Sequence, residues 1–182
     1  MSNKALFLDR DGVVNVDHGY VYEPEKFEFV DGVFSACKAF VDAGYKLIIV
    51  TNQSGIGRGY YTEADFHALT DWLIGQFDKR DVTVSGVYFC PHHPKKALPR
   101  YLKECDCRKP APGMLLQGIY EHHIDASQSI MVGDKLSDMQ AASNANIATK
   151  VLVRSGQAFD SQAIDAADHI CDSLAALPAI LL

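Results

Sequence analysis

Short apolar runs alternate with segments of helical period along this chain, and that alternation limits the folds open to it. Ala5–Leu8 reads as a strand ending at Asp9. Asp31–Ala43 puts Val33, Phe34, Cys37, Phe40 and Val41 on one helical face, and Gly44 suits a helix stop. Lys46–Val50 is a second buried strand. Thr62 and Asp65 form a capping box ahead of a helix that turns Phe66, Leu69, Leu73 and Phe77 inward. Val84–Phe89, Ile130–Val132 and Thr149–Val153 read as further strands, and His169–Cys171 as an edge strand. Helices are expected from Pro112 to about His122, over Ser137–Asn144 and over Ser173–Leu181. Strands alternating with helices imply a parallel sheet covered on both faces. Ligands of such folds sit beyond the carboxyl ends of the strands. Polar residues stand where the apolar runs stop: Asp9 and Asp11, Thr51, Cys90 and Asp134. The irregular stretches Arg10–Val30, Asn52–Tyr61 and Pro91–Pro112 are long enough to carry function.

Composition narrows the classes. The 182 residues suit one domain with a core of its own. With 17 Lys and Arg against 23 Asp and Glu, the net charge of −6 disfavours a nucleic-acid partner. The longest apolar stretch, Leu174–Leu182, contains Pro178 and is too short to span a membrane, and Ala5–Leu8 is too short for a signal-peptide core. A cytoplasmic protein is expected. Five cysteines, an odd number, point away from disulfides. Two local features stand out. Six of the 17 basic residues fall between Lys95 and Lys109, and Cys90, Cys105 and Cys107 cluster. The basic segment is either a receiver for an anionic small molecule or a solvated loop.

Asp9-Arg10-Asp11-Gly12-Val13 follows the first strand. Two carboxylates so placed can hold a hard cation such as Mg²⁺, attack phosphorus, or move a proton; they can also simply cap a turn. Gly133-Asp134-Lys135-Leu136-Ser137-Asp138 supplies a second acidic element at another strand end. Carboxylates gathered in one place repel unless a metal or a lysine neutralises them. Cys90, His92, Cys105 and Cys107 have spacings that can close a four-ligand zinc site of the structural kind, with His93 an alternative to His92. Three unrelated thiols on a loop, or a redox pair, are the other readings. Pro91–Glu104 has little apolar content, so zinc would tie its ends together.

The ordered set Asp9-x-Asp11-Gly12-Val13, Thr51, Lys109 and Gly133-Asp134-x₃-Asp138 resembles the phosphatases of the haloacid dehalogenase (HAD) superfamily, over nearly the whole chain. Together with Thr51–Gly59, Cys90-Pro91-His92-His93-Pro94 and Cys105-x-Cys107-Arg108-Lys109-Pro110, it is similar to the D-glycero-D-manno-heptose 1,7-bisphosphate 7-phosphatases. The resemblance implies an α/β, Rossmann-like HAD fold: a parallel sheet flanked by helices, no large cap domain, and a zinc-binding loop of about 90–107 inserted in a single domain, 1–182. It implies Asp9 as nucleophile and Asp11 as general acid and base. Mg²⁺ would lie on the Asp9 carboxylate, the Asp11 carbonyl and Asp134, with Asp138 supporting the site from behind. Thr51 and Lys109 would hold the phosphoryl oxygens. Asp17, His18, Gly19, Tyr20, Thr51, Asn52, Gln53, Ser54, Arg108 and Lys109 would contact substrate. Zn²⁺ would be structural. The expected reaction removes the 7-phosphate of a phosphorylated sugar on the way to nucleotide-activated heptose, for lipopolysaccharide or S-layer glycan. An open site suits a monomer. Histidinol-phosphate phosphatases share the zinc loop and form the nearest rival. A phospho-acceptor signalling domain and a non-catalytic zinc-loop module are the others.

Overall fold

The computed structural model describes residues 2–182. Six parallel strands form one sheet: β1 (Lys4–Leu8), β2 (Tyr45–Asn52), β3 (Val84–Cys90), β4 (Ile130–Gly133), β5 (Thr149–Val153) and β6 (His169–Cys171). Their order across the sheet is β3-β2-β1-β4-β5-β6. The chain winds outward from β1 to β3, then crosses back to β4 on the other side of β1. The strand order reverses at β1, which is where open parallel sheets bind ligands.

The two faces of the sheet follow from the period of two along each strand. Leu6, Leu8, Leu47, Ile49, Val132 and Val151 turn to one face and pack with Cys37 and Phe40 of α1 (Val33–Asp42), and with Leu69, Leu73 and Phe77 of α3 (Glu63–Asp78). Ala5, Phe7, Ile48, Val50 and Met131 turn to the other. They meet Met114 and Leu115 of α4 (Gly113–Glu121), and Ala141 and Ala142 of α5 (Leu136–Asn144). Phe7 is wholly buried at the centre, in the strand that carries Asp9 at its end.

The capping box expected at Thr62 is present, with Thr62 Oγ1 accepting from the Asp65 N–H and the Asp65 carboxylate accepting from the Thr62 N–H. Elsewhere the elements differ in detail from the sequence reading. α1 starts at Val33, because Gly32 takes a left-handed conformation and serves as the cap. Pro112 is the cap of α4, one position before its first helical residue. The expected helix over Ser173–Leu181 is broken into a 3₁₀ turn, Leu174–Ala176, and α7 (Leu177–Leu181). Two helices were not foreseen. One is the single turn α2 (Ser54–Gly57) inside the long loop after β2; the other is α6 (Ser161–Ala166), capped by Asp160. No helix among the described residues is long and apolar enough to cross a membrane.

Candidate active site

Pairing in register sets the site. Leu8 lies beside Ile49 on one side and Val132 on the other. The residues that follow, Asp9, Thr51 and Asp134, therefore emerge along one edge of the sheet. All three are buried.

Lys109 reaches into this edge from the loop before α4. Its ammonium lies 2.9 Å from Asp9 Oδ1, 2.7 Å from Asp138 Oδ1 and 2.9 Å from the Val50 carbonyl. Those three acceptors use its three donors. The two carboxylates hold the Lys109 pKa above its usual value despite burial. Asp138 is held from both sides. Its Oδ2 accepts the N–H groups of Asp134 and Lys135, both at 3.1 Å, at the start of α5. Asp138 thus braces the loop that carries Asp134, as a capping residue does.

Burial pushes the Asp9 pKa well up, and Asp138 and Asp134 add to the push while Lys109 opposes it. Burial and Asp138 likewise raise Asp134, to about 6. Asp134 Oδ2 accepts the Gln157 N–H at 2.8 Å, whereas Oδ1 is buried without a hydrogen-bond partner. Carboxylate oxygens of Asp9, Asp134 and Asp138 all lie within 4.8 Å of one another. A buried oxygen left unpaired among crowded carboxylates is costly unless a cation meets it. The donors are all hard oxygens, the set that suits Mg²⁺. Space around Asp134 is tight: a Cβ built on Gly156 would stand 2.2 Å from Asp134 Oδ2, so only glycine fits there.

Asp11 is turned elsewhere. Its carboxylate accepts from Arg10 at 3.0 and 3.2 Å, from Asn15 at 3.0 Å and from Gln53 at 3.1 Å. Burial works against the charge, but Arg10 and these hydrogen bonds outweigh it and the pKa is lowered. Gln53 is itself buried. It donates to Thr51 Oγ1 at 2.9 Å as well as to Asp11, and accepts from the Tyr61 hydroxyl. Asn52 brackets Lys109, accepting its N–H at 3.0 Å and donating to its carbonyl at 3.2 Å.

A cavity of about 790 Å³ opens over this edge. Asp11, Asp17, His18, Gly19, Tyr20, Asn52, Gln53, Ser54, Arg108 and Lys109, ten of the residues expected in the site, line it. His18 is exposed and hydrogen-bonded to Glu28 at 2.8 Å. Tyr61, Lys135, Ser137 and Gln157 also line the cavity, and the sequence reading had not placed them there. Gln157 follows β5, and the rule that polar residues at strand ends build the site extends to it.

The cysteine cluster closes nearby. Cys90 Sγ lies 3.5 Å from Cys105 Sγ, 2.8 Å from Cys107 Sγ and 3.6 Å from His92 Nδ1; Cys107 Sγ lies 3.5 Å from Cys105 Sγ and 3.4 Å from His92 Nδ1. Four soft donors on tetrahedral zinc stand about 3.8 Å apart edge to edge, given bonds of ~2.3 Å. Their close approach splits the thiols: contact with Cys90 lowers Cys107 to about 5, and contact with Cys107 pushes Cys90 up. His93, the alternative ligand, faces away from the cluster. Its Nδ1 accepts the N–H groups of Lys95 and Lys96 at 3.1 and 2.9 Å, and so organises the loop. Arg108 and Lys109 follow Cys107 directly, which ties their position to the cluster.

Comparison with known proteins gives the family. A family model described as HAD-hydrolase-like matches residues 106–177. The chain is 53% identical to the D-glycero-beta-D-manno-heptose-1,7-bisphosphate 7-phosphatase of Salmonella typhi, over 97% of this chain and 94% of that one. It is 54% identical to the protein of the same name from Escherichia coli K12, over 96% and 91% of the two chains. Among solved structures, the D,D-heptose 1,7-bisphosphate phosphatase of B. bronchiseptica, complexed with magnesium and phosphate, superposes with a TM-score of 0.83 at 30% identity, covering 98% of this chain and 97% of that one.

Proposed function

The chain belongs to the D-glycero-β-D-manno-heptose-1,7-bisphosphate 7-phosphatases, HAD-like hydrolases, and from that premise we propose how its residues perform the reaction. The enzyme is a phosphoric monoester hydrolase that removes the 7-phosphate of the heptose bisphosphate. The observation that carries the mechanism is the convergence of Asp9, Lys109, Asp134 and Asp138 on one buried edge beneath an open cavity.

Asp9, Asp134 and the Asp11 carbonyl would hold Mg²⁺, which fits the unpaired Asp134 oxygen and the all-oxygen donor set. The cation supplies charge to stabilise the transferring phosphoryl group. In the first half-reaction an Asp9 oxygen attacks phosphorus, an O–P bond forms, and the bond to the sugar O7 breaks. The departing alkoxide takes a proton from Asp11. Asp11 has to acquire that proton against Arg10, and a phosphoryl dianion arriving beside it favours the protonated form. In the second half-reaction water attacks the aspartyl phosphate, Asp11 takes its proton, and inorganic phosphate leaves with Asp9 restored. The Arg10, Asn15 and Gln53 hydrogen bonds suit Asp11 to this basic role.

Lys109 lowers the negative charge that the arriving phosphate meets, by pairing with Asp9 and Asp138. Thr51 completes the phosphoryl cradle. Arg108, at the cavity wall, suits the charge of the second phosphate. Asp17, His18, Gly19, Tyr20, Asn52, Gln53 and Ser54 form the walls that face the sugar. Gln53, with its amide already shared between Asp11, Thr51 and Tyr61, aligns those groups rather than reaching for substrate. Zn²⁺, if held by Cys90, His92, Cys105 and Cys107, would be structural, because four protein ligands would leave no open position. In this proposal the enzyme is taken as a single-domain monomer acting on a cytoplasmic sugar phosphate.

Steady-state rates on the heptose bisphosphate and on histidinol phosphate, measured side by side, test the substrate. A higher kcat/KM on the heptose bisphosphate is expected. A higher value on histidinol phosphate would overturn the assignment.

A further inference from the structure

The loop after β5 joins the two halves of the cavity through a side chain with no role in the mechanism above. The Ser155 hydroxyl donates to the Gly12 carbonyl at 2.7 Å, which fixes this loop beneath the turn after β1. The Gln157 N–H donates to Asp134 Oδ2. The Gln157 side chain then reaches across the mouth of the cavity, and its amide nitrogen lies 2.6 Å from Asp17 Oδ2. The other Asp17 oxygen accepts the Gly19 N–H at 3.1 Å. Both oxygens of Asp17 are therefore used within the protein. The turn that Asp17 closes carries Gly19 at φ 80° and Tyr20 at φ 51°, the latter a left-handed conformation that a bulky residue adopts only when held.

We propose that Gln157 is a positioning residue, which pins Asp17 and so holds the 17–20 turn closed against the cavity for a substrate long enough to reach it. The inference rests on the phosphatase reading of the cavity. Backbone and side chain of Gln157 act separately here. The N–H bond to Asp134 survives any substitution that keeps the fold, so changing the side chain isolates the bond to Asp17. The turn and Lys109 line the same cavity, so a substrate as extended as a sugar bisphosphate would sense the loss.

The test pairs a measurement without substrate and one with it. In Gln157→Ala, amide hydrogen exchange of the substrate-free protein is expected to quicken about tenfold at Gly19, with α5 unchanged, since an opened turn exposes its own hydrogen bond. KM for the heptose bisphosphate is expected to rise about fivefold with kcat held within about twofold, the signature of lost binding rather than lost chemistry. Gln157→Glu, which sets a second carboxylate against Asp17, should exceed both effects. Unchanged exchange at 17–20 in both variants would overturn the proposal. So would a kcat loss as large as the KM rise, because the side chain would then act on the reacting groups. If the wild-type enzyme does not turn over the heptose bisphosphate, the functional reading falls, and the exchange comparison still decides the role of Gln157.

Discussion

Asp134 combines two opposed tendencies. Burial and Asp138 raise its pKa to about 6, so its charge destabilises the metal-free fold at neutral pH. The sign follows from linkage: the folded state binds the proton more tightly than the unfolded state. At this group, metal-free stability therefore rises as pH falls through about 6 towards the ordinary carboxyl value of 3.8, and is lost as pH rises through 6. Asp9 acts in the same direction, and Asp11, whose pKa is lowered, acts in the opposite one. Magnesium affinity should run the other way and weaken below pH 6, where protons compete for Asp134. Asp134→Asn should raise the melting temperature of the metal-free protein by about 2–4 °C while abolishing Mg²⁺ binding, a trade of stability against function. Calorimetry with and without Mg²⁺ checks both; a lower metal-free melting temperature would count against the electrostatic account.

Among the elements, the strap between Cys90 and Cys107 depends most on something other than packing. Leu98 and Leu102 are exposed, and its buried anchor is Tyr101. The four clustered donors hold its ends at β3 and at the approach to α4. Chelation or Cys107→Ser should loosen this strap to limited proteolysis and raise KM through Arg108 and Lys109. The far-ultraviolet signal of the sheet should be largely preserved, because the two main core clusters draw chiefly on strands and helices outside the strap. Protein purified without chelators should carry one zinc per chain. Absence of zinc, or cooperative loss of the whole fold with the strap, would contradict this division.

At the scale of the molecule, the sequence reveals most where local and tertiary signals agree. β1 and β2 read clearly because Leu6-Phe7-Leu8 and Leu47-Ile48-Ile49-Val50 are buried on both faces. α3 reads clearly because its cap and its apolar stripe start together. Asp9, Thr51, Lys109 and Asp134 were legible for a different reason, their order along the chain, and the topology then brings them to one edge. What stayed hidden depends on geometry across the sheet. His92 and His93 are equivalent by spacing, and the direction of each ring separates them. The change from a 3₁₀ turn to an α-helix at Leu177 divides an apolar run that reads as one helix. Gln157 carries no signal by residue type, and its importance comes from the strand order, which sets the end of β5 beside β4.

The central claim is that this edge removes the 7-phosphate through an aspartyl phosphate on Asp9. Phosphorus NMR of D-glycero-β-D-manno-heptose 1,7-bisphosphate during turnover tests it most directly, run with wild-type enzyme and with folded Asp9→Asn. The account predicts loss of the 7-phosphate resonance with the 1-phosphate retained, and no change with Asp9→Asn. Release of the 1-phosphate instead, or turnover by Asp9→Asn near the wild-type rate, would contradict it.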